Sequence, residues 1–219
     1  MQPHSLHRRS AKIVYYFWIL SDWAYLGGPR LESLSQRHDI EIEYVPLNLP
    51  EVYARTGGVL LSQRAPERQR YRITELERWR SRLGMTCNIE PKFVDSEDAA
   101  LASCCVIAAM RECDNAGLLA NAFMKALWAE EQDICDASTV GNIAEANGFD
   151  SDRLIARAQG DDIKEQFRSN TFRAIEDGVF GSPSYVFEGE LFWGQDRIEM
   201  LEEAVIARKA QEAGALGRG

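Results

Sequence analysis

A chain of 219 residues that is 45% hydrophobic and 27% charged can bury one sizeable core, or a core with a subdomain, and its composition gives no reason to expect disorder. The 25 Lys and Arg against 34 Asp and Glu leave a net charge of -9, which opposes non-specific binding to nucleic acid or to an anionic membrane. No apolar run approaches the roughly 20 residues that span a bilayer. The opening MQPHSLHRRS is polar and basic with no cleavage pattern behind it, so residues 1–11 are expected to form a disordered arm on a cytoplasmic protein.

The five cysteines, Cys87, Cys104, Cys105, Cys113 and Cys135, are odd in number, contain no C-x-x-C and mostly lie in apolar helical text, which predicts buried free thiols. Of the three histidines, His4 and His7 fall in the arm and only His38 in the body. A zinc site or a histidine-based triad has almost no material here.

From Lys12 to Leu20 the run KIVYYFWIL predicts a strand covered on both faces. Ser21 and Asp22 are helix-capping types, and Trp23, Leu26, Leu31 and Leu34 recur at roughly helical spacing up to Arg37. IEIEYVPLNL, Ile40 to Leu49, then alternates like a second strand, giving a β-α-β opening. From about Ser62 to Gly160 the text is mostly helical, with Ser138 or Thr139 expected to cap STVGNIAEANG, and SDRLIARAQGDDIKEQFRSNTFRAIEDG adds two further helical segments or one broken helix. GVFGSPSYVFEGELFWG returns to strand chemistry: a strand over Ser184 to Phe187, a turn at Glu188-Gly189-Glu190, and a strand from Leu191 to Trp193. A last helix runs from Asp196 to about Gln211. A β-α-β half, a helical insertion and a β-β-α half make a thioredoxin-like α/β fold with an inserted all-helical domain. The expected division is 12–61 with 165–210 for the thioredoxin-like part and 62–164 for the insertion.

In such a fold the working group sits at the N-terminus of the first helix, where unpaired N–H groups and the helix dipole favour an anion. That place is occupied by Ser21-Asp22-Trp23-Ala24, with no cysteine, which excludes disulfide exchange there. By residue type alone Ser21 is either a plain N-cap or a hydroxyl in a field that favours a thiolate. Pro183 after Ser182 is either an ordinary trans proline at a strand edge or a cis proline that opens the preceding backbone to an extended ligand. Gln195 and Asp196 precede the last helix as a cap, or else hold a charged group.

SDWAYLG after the first strand, GVFGSPSYVFEGELFWGQDRIEMLEEA near the end and the helical middle resemble the 2-hydroxychromene-2-carboxylate isomerase family, which is close to kappa-class glutathione transferases and to the DsbA-like fold. The resemblance runs from about Lys12 to Ala207. It implies glutathione as cofactor, with Ser21 assisting its thiol, Ser182 before a cis Pro183 pairing its backbone with the cysteinyl part, and Gln195 and Asp196 on the γ-glutamyl group. APERQRY resembles the family's loop of proline, basic residue and tyrosine, and puts Arg68 near the glycyl carboxylate or the substrate acid. The implied substrate is an unsaturated aromatic 2-oxo acid, in a pocket lined by Trp23 and Trp79, in a homodimer. The sequence departs from the family in Asp22 where Ser-Pro is usual, in Val45 where an arginine often precedes the proline, and in Gly58 or Val59 where an asparagine is expected. A glutathione transferase using the same residues, or a non-catalytic binding protein in which Ser21 is only a cap, remain as alternatives.

Overall fold

In the computed structural model, which describes residues 11–93, 99–112 and 115–216, Lys12–Phe17 forms β1. Its alternate side chains enter two apolar layers, Ile13, Tyr15 and Phe17 on one side and Val14 and Tyr16 on the other. Such a strand belongs inside a sheet. β2 (Glu41–Pro46) pairs with it in parallel, β3 (Ser184–Phe187) antiparallel, and β4 (Glu190–Trp193) completes the order β2-β1-β3-β4. Tyr15 stands in register between Tyr44 and Tyr185, and its ring stacks on Tyr185 at 5.3 Å and on Phe17 at 4.7 Å. The two-residue turn Glu188-Gly189 has φ of 50° and 84°, the double left-handed geometry that suits the twist of a tight hairpin.

β1 ends at Phe17, three residues earlier than the apolar run suggests. The Trp18 N–H turns away to donate to Ser182 Oγ at 2.9 Å, and Trp18 O accepts from the Ser21 N–H at 2.9 Å, so 18–21 is a turn that delivers α1 (Asp22–His38). β2 also stops early, at Pro46, because Leu49–Thr56 is a helix, α2: Asn48 caps it through Oδ1 and Pro50 lies in its first turn, where a missing N–H costs nothing. The middle of the chain folds as α3 (Pro66–Leu83), α4 (Ala100–Arg111), α5 (Ala116–Glu130), α6 (Ala137–Ala146), α7 (Ser151–Ala158) and α8 (Asp161–Glu176). The cap of α6 is Asp136, whose carboxylate accepts from the Thr139 N–H at 2.7 Å; Ser138 and Thr139 lie inside the helix. α8 is continuous across 164 and 165. After β4, Gln195–Arg197 makes a 3-10 turn, and α9 (Ile198–Leu216) follows.

Residues of α1, α4, α5 and α9 build the larger core on the Tyr15 face, where Trp128 is 1% exposed, while Leu49 and Val52 of α2 and Ala174 of α8 cover the Tyr16 face. α1 approaches its neighbours closely through two glycines. A Cβ on Gly28 would lie 2.0 Å from Asn121 Oδ1 of α5, and one on Gly27 would lie 2.8 Å from Tyr185 Oη and 3.1 Å from Gln195 Cβ. Cys87, Cys104 and Cys105 are buried, Cys135 is half-buried, and none of the four is disulfide-bonded; Cys113, His4, His7 and the expected arm, apart from Ala11, lie outside the described residues. Among the described residues, no helix is long and apolar enough to cross a membrane.

Candidate active site

Ser21 occupies the N-cap of α1 with extended backbone, φ -80° and ψ 120°, and is 5% exposed. Its Oγ accepts from the Ala24 N–H at 3.2 Å, which uses a lone pair, and donates to Ser182 O at 3.3 Å. An O–H···O bond normally spans about 2.5–3.0 Å, so the Ser21 proton is loosely held and available to a better acceptor. Ser182 is drawn to this point from the far end of the sequence: its Oγ takes the Trp18 N–H, its carbonyl takes the Ser21 hydroxyl, and the Ser182–Pro183 bond is cis.

Asp22 does not leave a bare charge at this helix end. Its Oδ1 accepts from the Trp23 N–H at 2.7 Å, and its Oδ2 accepts from Arg72 Nε at 2.7 Å and Nη2 at 2.6 Å, in a pair whose side chains are 9% and 13% exposed. The guanidinium of Arg72 lies 5.8 Å from the centre of the Trp128 ring. Tyr53 of α2 stands close enough for the charge of Asp22 to act on it: burial raises its phenol pKa, Arg64 opposes with an Nη2 bond to Oη at 3.2 Å, and Asp22 adds to the rise. Burial and then Asp22 push the Cys87 thiol up to about 11, against the pull of Arg80 and Arg72. Tyr25, whose Oη donates to Thr86 O at 2.6 Å, is pushed up to about 12 by burial. All three groups are protonated at neutral pH, so Asp22 and the arginines set the field at the head of α1.

The other residues singled out by the sequence divide into those that reach this point and those that do not. Trp23, half-buried in the first turn of α1, is beside it. Arg68 is exposed on α3 one turn before Arg72, and its guanidinium has no partner among the described residues. Gln195 packs against Gly27, six residues and about 9 Å along the helix axis from Ser21. It is 2% exposed and its Oε1 already accepts from Arg30 Nη1 at 2.7 Å, so only Asp196 of that pair, half-exposed and bonded to Arg197 at 2.7 Å, presents a carboxylate to solvent. Trp79 stands near Arg30, away from Ser21, with the guanidinium groups of Arg30 and Arg82 at 5.8 and 5.4 Å from its ring. Sequence reasoning missed Tyr53, Arg64 and Arg72. Arg64 precedes α3, so no helical spacing joins it to Arg72, and no local signal in the sequence marked either arginine.

Three surface cavities of about 310, 450 and 360 Å³ lie along α7, between α4 and α8, and behind the C-terminus of α3; none is lined by Ser21. The first is lined by Glu112, Asp150 and Arg153 among others, and the second by Cys104, Cys135, Lys164 and Arg168. The site is defined by the polar atoms that converge on Ser21 and not by enclosed volume. Among the described residues, no group of three or more His, Cys, Asp or Glu could hold a metal ion.

A four-stranded mixed sheet, a first helix whose N-cap meets the residue before a cis proline, and serine in place of cysteine at that cap define a thioredoxin-fold protein without a disulfide at its helix head. The chain belongs to the DSBA-like thioredoxin domain family, which it matches over residues 12–206. It is 27% identical over 195 residues to a 2-hydroxychromene-2-carboxylate isomerase of Sphingobium xenophagum, covering 89% of this chain and 97% of that one. A protein of the same name from Pseudomonas putida is 28% identical over 192 residues, with 87% and 92% covered. The solved structure of a 2-hydroxychromene-2-carboxylate isomerase superposes with a TM-score of 0.80 at 25% identity, covering 93% of this chain and 98% of that one.

Proposed function

We propose that this protein is a glutathione-dependent isomerase of unsaturated aromatic 2-oxo acids that interconverts 2-hydroxychromene-2-carboxylate and trans-o-hydroxybenzylidenepyruvate. The observation that carries the reading is the Ser21 hydroxyl: capped from below by the Ala24 N–H, it keeps a proton that Ser182 O holds only at 3.3 Å. Relatives of nearly the same length that bear the isomerase name support the substrate.

The donor set fits the tripeptide. Ser21 offers a hydroxyl for the sulfur, the Ser182 backbone at the cis proline an edge for the cysteinyl unit, Asp196 a carboxylate for the ammonium, and Arg68 an uncommitted cation for a carboxylate. Gln195 fits less well, because Arg30 occupies its carbonyl oxygen. When bound, glutathione supplies a nucleophilic sulfur that adds to a conjugated double bond, lets the resulting single bond rotate, and leaves again. Ser21 donates its proton as a hydrogen bond to that sulfur, and the N-terminus of α1 favours the anionic form. Trp23 offers an aromatic face to the substrate ring, and Arg68 is the cation for whichever carboxylate comes to the mouth of the site. A homodimer in the cytoplasm belongs to the same proposal.

The test is to follow the interconversion spectroscopically with and without glutathione and to assay glutathione afterwards. The reading predicts turnover only with glutathione and full recovery of it. Stoichiometric loss of glutathione into product would make the protein a transferase, and turnover without glutathione would refute the cofactor.

A further inference from the structure

Asp22 is the first residue of α1, directly after Ser21, and is 7% exposed. A carboxylate there satisfies the positive end of the helix and so competes with any other anion brought to it. The structure divides its two oxygens: Oδ1 stays on its own helix with the Trp23 N–H, while Oδ2 receives both Nε and Nη2 of Arg72 from α3. Near the pair, Tyr53 from α2 takes a bond from Arg64 of the segment before α3, and Cys87, whose carbonyl takes a bond from Arg80 of α3, feels the charges of Asp22 and Arg72, while Glu130 of α5 acts on the neighbouring Tyr25. Arg72 is half-buried beside Trp128 and its guanidinium donates to nothing else among the described residues, so its charge is committed to Asp22.

We propose that Arg72 is the positioning residue of this site: by tying the Asp22 carboxylate to α3 and cancelling its charge, it leaves the head of α1 able to stabilise an anionic sulfur at Ser21. The inference rests on the reading of the ligand as a thiol, but its consequence is a property of the protein alone. Without Arg72, Asp22 is an uncompensated negative charge adjacent to Ser21, and a neighbouring like charge disfavours a thiolate. Without both, the field returns to that of the helix end.

The test uses Ser21→Cys as a reporter, which places a thiol at the Oγ position and needs no added ligand. The pH profile of iodoacetamide alkylation at residue 21, read by peptide mass spectrometry, is measured in that protein and after adding Arg72→Met, Arg72→Lys, or Arg72→Met with Asp22→Asn. The expected result is that Arg72→Met raises the apparent pKa by at least about one unit, a tenfold loss of thiolate at a fixed pH below it. Arg72→Lys gives a smaller shift, and adding Asp22→Asn brings the profile back to that of the reporter. An unmoved profile in Arg72→Met, or a double variant that stays with Arg72→Met, would overturn the proposal, since a shift caused by the Asp22 charge must vanish with that charge. Failure of the glutathione reading is a separate outcome: calorimetry of the wild-type protein with glutathione would show no binding while the residue 21 profiles still shifted as stated.

Discussion

Replacing Ser21 by Ala and by Gly separates its two duties. As an N-cap, Ser21 satisfies the Ala24 N–H at 3.2 Å; losing that bond in Ser21→Ala costs about 1 kcal/mol, whereas Gly at an N-cap costs only a few tenths. For a chain of this size, 1 kcal/mol lowers the melting temperature by about 2–4 °C. As the donor to an anionic sulfur, the hydroxyl makes a hydrogen bond to a charged group, worth about 1.5–3 kcal/mol. At 1.4 kcal/mol per factor of ten, both variants should therefore lose about 10- to 150-fold in isomerisation rate. Thermal unfolding by circular dichroism should rank wild type close to Gly and above Ala, while the rate assay should place Ala and Gly together, far below wild type. A Ser21→Gly protein with the wild-type rate would refute the reasoning, because the hydroxyl would then be a cap and nothing more.

Gly27→Ala should be destabilised by about 1–3 kcal/mol and show the loss as a lower melting temperature. Its new Cβ meets Tyr185 Oη at 2.8 Å and Gln195 Cβ at 3.1 Å, and Tyr185 is pinned in the aromatic stack; an unchanged melting temperature would mean that α1 is free to move off the sheet. Glu43 is a carboxylate whose burial acts to raise its pKa but whose bonds to Arg173 and Lys12, both at 2.5 Å, bring it below the usual range. Its stabilisation is then complete above the unfolded value of about 4.3 and is lost as pH falls through the lower folded value. The melting temperature of Glu43→Gln should lie below wild type at pH 7, and the gap should close on acidification to about pH 3; a gap that widens in acid would reverse the sign. Burial pushes Cys87 up to about 11 and Cys105 up to about 12, so neither should be alkylated by iodoacetamide in the native protein at pH 8, and rapid modification of either, read by mass spectrometry, would contradict its burial.

The strand-helix-strand opening and the closing hairpin were legible because their signals are local: alternating apolar text, Ser21 at a helix start, and Glu188-Gly189 between two short strands. What failed depended on distant partners. Trp18, Ile19 and Leu20 continue the apolar run of β1, yet Ser182, 164 positions away, claims the Trp18 N–H and ends the strand. α2 was hidden by its prolines: PLNLP reads as the tail of a strand, while Asn48 and Pro50 are in fact its starting signals. At the site, Ser21 and Ser182 were legible and do meet. The partner of Asp22 was not, because no spacing rule links positions 22 and 72. Trp79 was an aromatic residue in the right region of the chain and shares the face of α3 that carries Arg72, but it lies two turns, about 10 Å, further along the helix, beside Arg30 and Arg82 and away from the head of α1.

The most direct test of the central claim is to titrate glutathione into the wild-type protein from about pH 5 to 9 and record the ultraviolet absorbance band of the thiolate. The bound thiol is expected to ionise at least about one unit below the value near 8.5 of a free thiol, because the Ser21 hydroxyl and the N-terminus of α1 favour the anion. A bound thiol that ionises at the free value, or no binding at millimolar glutathione, would contradict that claim.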